Sequence, residues 1–298
     1  MSILLKQICL FFLLTTILFG CGGSEDSNPP ETNGTASTAE FTGDFLSWTG
    51  SDDASHYFTL VRVNGQTGTV TTIGGSNFFT GLAYGADGFL YGVSDDLHII
   101  NPANGATTKV GDLTYSGSTI LMSEATFSPD GKLFVIENGG NRVFTVDLTT
   151  GELTLVGTIN PLTIAMSLEF STSGTLYTSF VNLYTLNASD MTTITTAGST
   201  GGVYISELAS GSDGILYGKD VFPSTNIYSL NQSIGLATVV TPVSSISLVS
   251  FVAERKTTAY TVPQIQTSVV NGPSSSTQDI ESLLTMEKEI RDHYFNSK

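Results

Sequence analysis

Three observations predict an all-β fold for this chain, built from five copies of a four-stranded unit. A hairpin pattern of short apolar strand, Asp-Gly or Ser-Gly turn and second strand with an apolar-aromatic pair occurs over 81–92, 125–135, 168–177 and 208–218. Its turn glycines, Gly88, Gly131, Gly174 and Gly214, are spaced 43, 43 and 40 residues apart. A second kind of hairpin alternates with the first, at 58–73, 97–110, 143–156, 183–194 and 227–240. The third observation is order: the chain opens with the second kind and ends with a worn copy of the first at 249–262. Units of about 42 residues have the length of a propeller blade, so the predicted architecture is a five-bladed β-propeller.

The elements follow in order. Asp-Gly between alternating apolar residues is a strong hairpin signal, because glycine accepts the positive φ that a tight turn demands. The unpaired hairpins at 57–73 and 249–262 are expected to combine into one composite closing blade, which removes free sheet edges and ties the two ends of the repeat together. An open β-solenoid or a β-sandwich would use similar hairpins, and the hairpin order favours closure over both. Phe45–Thr49 reads as a further strand: within the composite blade it makes closure uneven, and otherwise it adds an outer fifth strand. Beyond the repeat, 263–276 reads as a linker. The segment 277–298 reads as an amphipathic helix, with Ile280, Leu283, Leu284 and Ile290 on one face. It would pack on the propeller or bind a partner.

Composition bounds the function. A net charge of −16 and a pI near 4.3 exclude a nucleic-acid binder, which needs a basic face. A hydrophobic fraction of 40% excludes global disorder. At the N-terminus, Ile8–Phe19 is an apolar run too short to cross a hydrocarbon core of about 30 Å as a helix. Residues 1–20 therefore read as a secretory signal. Leu18-Phe19-Gly20-Cys21 resembles the lipobox of bacterial lipoproteins, although Phe19 is bulkier than the residue usual there. That resemblance implies cleavage before Cys21 and acylation of its sulfur and new amino group. With Gly22 following, it also implies an outer-membrane address in the cell envelope rather than an inner-membrane one. Residues 21–40 read as a polar tether. The two cysteines are Cys9 and Cys21, so the repeat itself has no thiol for a disulfide or a metal.

Candidates for chemistry are few. His56, His98 and His293 show no metal-ligand spacing, and His98 reads as a packed strand residue. The aspartates at 52–53 and 95–96 lack the alternation of a calcium loop and read as solvated turns. Tyr91, Tyr177 and Tyr217 recur in register on the second strands, where packing between blades competes with stacking on a sugar. Glu124 and Glu207 each stand seven residues before a turn glycine, and Glu169 two positions later in its unit. Innermost strands of a propeller line its channel, so these carboxylates are expected to converge near one mouth. Clustered carboxylates can bind a cation or act as acid and base.

The hairpins, as in Asp87-Gly88-Phe89-Leu90-Tyr91, resemble those of bacterial extracytoplasmic propellers of the NHL-like and gluconolactonase-like kind. The resemblance implies the fold more than an activity. In the gluconolactonase-like group a metal-binding Glu opens such a strand. Glu124 matches that position, but Ala125-Thr126 stands where Gly-Pro usually follows. The expected function is a lipid-anchored, monomeric module that binds a glycan or an envelope protein. The alternative is a metal-assisted hydrolase of the lactonase or glycosidase type, with a divalent cation such as calcium held by Glu124, Glu169 and Glu207 and catalysis by Glu124 and Glu207.

Overall fold

The computed structural model describes residues 41–49, 58–75, 77–159, 167–192, 194–220, 226–243 and 248–256. The predicted signal, Cys21, the tether, His56, His293, Asp52, Asp53 and the 277–298 helix lie outside the described residues. The first sheet joins β1 (Phe41–Trp48), β2 (Leu60–Asn64) and β3 (Val70–Gly74) to the last strand of the chain, β22 (Val252–Arg255). The next holds β4 (Gly81–Tyr84), β5 (Leu90–Val93), β6 (Asp96–Ile100) and β7 (Thr107–Asp112). A two-stranded ribbon, β8 (Thr114–Tyr115) and β9 (Ser118–Thr119), precedes β10 (Met122–Phe127), β11 (Leu133–Glu137), β12 (Arg142–Val146) and β13 (Leu153–Thr158). The fourth sheet is β14 (Glu169–Phe170), β15 (Leu176–Ser179), β16 (Asn182–Leu186) and β17 (Ile194–Ser199). The fifth is β18 (Ile205–Ser210), β19 (Leu216–Asp220), β20 (Asn226–Leu230) and β21 (Ala237–Pro242). Every pairing within the sheets is antiparallel.

This is a five-bladed β-propeller. The innermost strands β4, β10, β14, β18 and β22 touch one another in a closed ring. Each of the five apolar cores is shared by two adjacent blades. The core of Leu46, Trp48 and Leu60 with Phe79, Leu82 and Tyr84 joins the first sheet to the second. Phe45, Val61 and Val63 with Ala209, Tyr217 and Ile227 join the fifth sheet back to the first. Burying both faces of every blade in this way is what favours the ring over an open stack.

Closure differs from expectation in its division of strands. The composite blade takes its innermost strand from the C-terminal side and the other three from the N-terminal side. Phe45–Thr49 lies almost wholly in β1, the second strand, with Phe45 opposite Ala253 and Leu46 opposite Val252. It is not an outer fifth strand. The 249–262 segment supplies one strand to the closing blade among the described residues, because β1 already occupies the second position.

Five further seams hold the rim. Where each outermost strand nears its end, the turn between the outer strands of the next blade comes so close that a side chain would collide. The pairs are Gly74 with Gly105, Gly111 with Thr150, Gly157 with Asp190, Gly198 with Ile234, and Pro242 with Gly68. Tyr91, Tyr177 and Tyr217 are buried between blades rather than displayed. The hydroxyls of Tyr91 and Tyr217 donate to Asp87 and Asp213 at 2.7 and 2.8 Å, so each ties its second strand to the preceding turn.

Candidate functional site: the carboxylates of the channel

Turn spacing puts equivalent residues of the innermost strands in one layer. Seven positions before the turn glycines stand Gly81, Glu124, Ser167 and Glu207. Ser250 completes the layer by its bonding: Trp48 N–H donates to Ser250 Oγ at 3.0 Å, as Ser179 N–H donates to Ser167 Oγ at 3.0 Å. Glu124 and Glu207 are 1% and 8% exposed. Glu124 Oε1 accepts the Ala125 amide at 2.9 Å. The Glu207 carboxyl is the hydrogen-bonding neighbour of Glu124, whose Oε2 meets no N–H or hydroxyl donor. A bond between two carboxyl groups needs a proton on one of them. Burial first, and the charge and hydrogen bond of Glu207 next, push the Glu124 carboxyl well above the usual range.

Glu169 lies one layer further along the channel. Its Oε2 accepts from Thr126 Oγ1 at 2.7 Å and its Oε1 from the Ser210 amide at 2.8 Å, so it bridges the two neighbouring blades. It is deep among protein atoms yet keeps partial exposure, as expected of a wall of a narrow channel. Burial pushes its carboxyl up to about 7, against the pull of Thr126, the Ser210 amide and the Arg255 charge.

The far end of the channel holds residues that the repeat pattern did not single out. Arg255 lies half-buried over the Tyr84 ring, 5.6 Å from its centroid. Burial raises the Tyr84 hydroxyl above its ordinary value, and the negative charge of Glu254 adds to this. Glu254 is gripped by Arg62 through two bonds, Nε to Oε2 at 2.7 Å and Nη2 to Oε1 at 2.5 Å. Back in the layer of Glu207, Lys219 is a buried cation on β19, with Nζ 3.2 Å from Ser206 Oγ. Positions 254 and 255 belong to the worn fifth copy, where the turn glycine used for alignment is missing.

The sequence-predicted residues thus divide. Glu124 and Glu207 are brought together, and Glu169 is near enough to Glu124 to act on it electrostatically. As a metal site the set does not fit. Among the described residues no three of His, Cys, Asp and Glu are gathered to hold an ion. Glu169 has a hydrogen bond on each oxygen, and Glu124 has one on its first. His98 is packed, as expected, with Nε2 2.9 Å from Asp96 Oδ2. Asp96 is part of a strand and also meets Lys109 at 3.2 Å, whereas its neighbour Asp95 stays in the turn.

Away from the channel, a groove of about 570 Å³ runs between the fifth sheet and the composite blade, lined by Thr42, Gly43, Gly65, Gln66, Asp213 and Val240 among others. Asp213 contributes little free polarity there, since Ile215 N–H donates to its Oδ1 and Tyr217 to its Oδ2.

No known protein family matches the sequence, and no curated protein does either. Solved structures do. A symmetrical protein studied for its de novo evolutionary emergence is 16% identical, with a TM-score of 0.50 over 72% of this chain and 99% of that one. A gluconolactonase from Xanthomonas campestris is 15% identical, with a TM-score of 0.47 over 74% of this chain and 87% of that one. A virginiamycin B lyase from Staphylococcus aureus is 14% identical, with a TM-score of 0.40 over 65% and 68%. At such identities the likeness is one of fold.

Proposed function

We propose that this chain is a lipid-anchored, extracytoplasmic β-propeller of the bacterial envelope that acts as a binding or interaction module. One observation carries the reading: the channel carboxylates are engaged with one another and with the fold. Glu124 faces Glu207, Glu169 is held by Thr126 and Ser210, and Glu254 is held by Arg62. The channel then acts as a rigid hub, and recognition falls to the loops and grooves that the blades position. A glycan or an envelope protein is the expected partner, and acylated Cys21 is the anchor, outer membrane before inner. Replacing Cys21 by Ala in cells fed a radiolabelled fatty acid tests the anchor. The label and membrane retention should both be lost, and a variant still labelled and retained would overturn it. Binding is tested by glycan arrays and by in-cell crosslinking from loop positions. Specific capture of neither glycan nor protein would count against the module.

A second reading, hydrolysis of a lactone or glycoside in the channel, is favoured by the carboxyl of Glu169, which titrates at about 7. Turnover of simple lactones and aryl glycosides that disappears in Glu169→Gln would select it.

A further inference from the structure

We propose that the turns of the fifth blade form a membrane-contacting surface, seated in the headgroup and upper acyl region of a lipid bilayer. The inference rests on the lipid anchor proposed above and names the partner of one face of the disc. Its starting point is where apolar surface is left uncovered. Seven large apolar side chains stand exposed among the described residues, and five of them, Ile215, Ile234, Leu236, Val239 and Val240, belong to the fifth sheet and its turns.

The repeat shows that these are exceptions. Gly68, Gly105, Gly151, Met191 and Gly235 are equivalent, since each has a positive φ and donates its amide to the carbonyl four residues earlier. The residues before them are Thr67, Asn104, Thr150, Asp190 and Ile234, and those after them are Thr69, Ala106, Glu152, Thr192 and Leu236. The fifth blade alone puts large apolar side chains where its sisters have polar or small ones. Val240 departs in the same way. It is the bulged residue of its outermost strand, as Ile73, Val110, Val156 and Ala197 are of theirs. Those four pack against cores shared between blades, whereas Val240 is 44% exposed and lines the groove at the closing seam.

Polar contacts join the exceptions into one patch. Gln232 Nε2 donates to the Gly214 carbonyl at 3.0 Å, which ties the turn of Ile234 and Leu236 to that of Ile215. The Ile215 amide donates to Asp213 Oδ1 at 3.0 Å, and Asp213 lines the groove together with Val240. A contiguous uncovered apolar patch marks a contact surface. The point of chain entry says what it contacts. Neighbouring strands are antiparallel, so the turns after first and third strands open on one face. Phe41, where the chain leading from Cys21 enters β1, stands opposite Arg255, and Asp44 stands opposite Asn64 at the start of such a turn. Thr42 and Gly43 share the groove with Val240, so the joint to the anchor lies on the face of the patch and beside it. A tether raises the effective concentration of its attachment surface most at the face that carries the joint. Burial of the patch in lipid also desolvates little charge: Asp213 is the single charged residue of 211–215 and 231–236, and its carboxylate already accepts from the Ile215 amide and the Tyr217 hydroxyl.

The test holds the full chain on phosphatidylcholine vesicles through Cys21 and uses an added tryptophan as a depth gauge. Trp48 is the single Trp of the sequence and is fully buried, so it gives a constant background. The lipid carries bromine high on the acyl chain, at the depth of about 5–10 Å that interfacial side chains reach. Ile234→Trp is expected to emit further to the blue and to lose most of its added emission to the brominated lipid. Val181 is exposed in the turn between β15 and β16, on the opposite face, and Val181→Trp should keep its emission. Salt should change neither, because the contact is apolar. Ile234→Trp left unquenched, or quenched no more than Val181→Trp, would overturn the proposal. So would an Ile234→Trp emission that is already blue without vesicles and reverts on dilution, which assigns the patch to a second copy. Val239→Trp, read by the same outcomes, takes over should Ile234→Trp not fold. Mass spectrometry of Cys21 separates the two readings. An unacylated Cys21 defeats the anchor, and the same comparison in a Cys9→Ser chain coupled through Cys21 to a maleimide lipid still decides whether the patch enters lipid.

Discussion

Arg62 and Glu254 are 192 residues apart in sequence and meet through two parallel hydrogen bonds. Arg62 is on the third strand of the composite blade and Glu254 on its innermost, so the pair staples the two ends of the repeat across β1. Bidentate, charge-assisted bonds are among the stronger polar contacts a protein makes.

The two partners are not equally replaceable. The Glu254 side chain is 9% exposed and that of Arg62 is 38% exposed. Arg62→Met leaves a buried carboxylate with its strongest partner gone and is expected to cost about 3 kcal/mol. Glu254→Gln leaves a guanidinium that can turn to water, at about 1 kcal/mol. Urea unfolding of both variants should show that order.

Stability should fall as pH rises from about 4.5 to 7. Glu169 has its folded-state carboxyl raised to about 7, so the folded chain holds a proton that the unfolded chain releases near the ordinary value. Its contribution is complete below the unfolded value and is lost on passing through the folded one. The loss is at most about 3 kcal/mol for a shift of this size. Glu169→Gln should flatten that part of the stability profile.

Two glycines separate backbone strain from collision. At Gly88 φ is +84° and the space beyond its Cα is open, so Gly88→Ala should cost about 1 kcal/mol. Gly157 has no such φ, but an added Cβ would run into the Asp190 carbonyl. Gly157→Ala should cost about 3 kcal/mol through displacement of the neighbouring blade's turn. Thermal melts of the two variants provide the comparison.

Removing the Tyr217 hydroxyl should cost about 1 kcal/mol, as should removing that of Tyr91, since each loses one hydrogen bond to an Asp that keeps its turn amide. The two positions lie in different blades, so the double variant Tyr91→Phe/Tyr217→Phe should be additive by denaturant titration.

The blade repeat was legible because each turn glycine reports on its own local hairpin, and four of them survive at regular spacing. The convergence of Glu124 and Glu207 was legible for the same reason, since equal offsets from equivalent turns mean equal depth in the channel. The position of β1 was not. Its partner strand lies at the other end of the chain, and a strand of this kind carries no mark of which neighbour it will choose. Arg255 over Tyr84 and Lys219 beside Ser206 were equally hidden, because single charged residues in apolar strands follow no period.

By itself the sequence determined the all-β class, the five-fold repeat, the composite closure and the acidic character of the chain. These rest on local turn chemistry, alternation and net charge, which need no long-range contact to be read. Tertiary structure alone decided the one-and-three division of the closing blade, the engagement of Glu169 by Thr126 and Ser210, and the burial of Glu124 in the same layer as Glu207. Those depend on which residues are brought within a few ångströms across blades and strands. At that range desolvation and charge, rather than residue type, set what a carboxyl group can do.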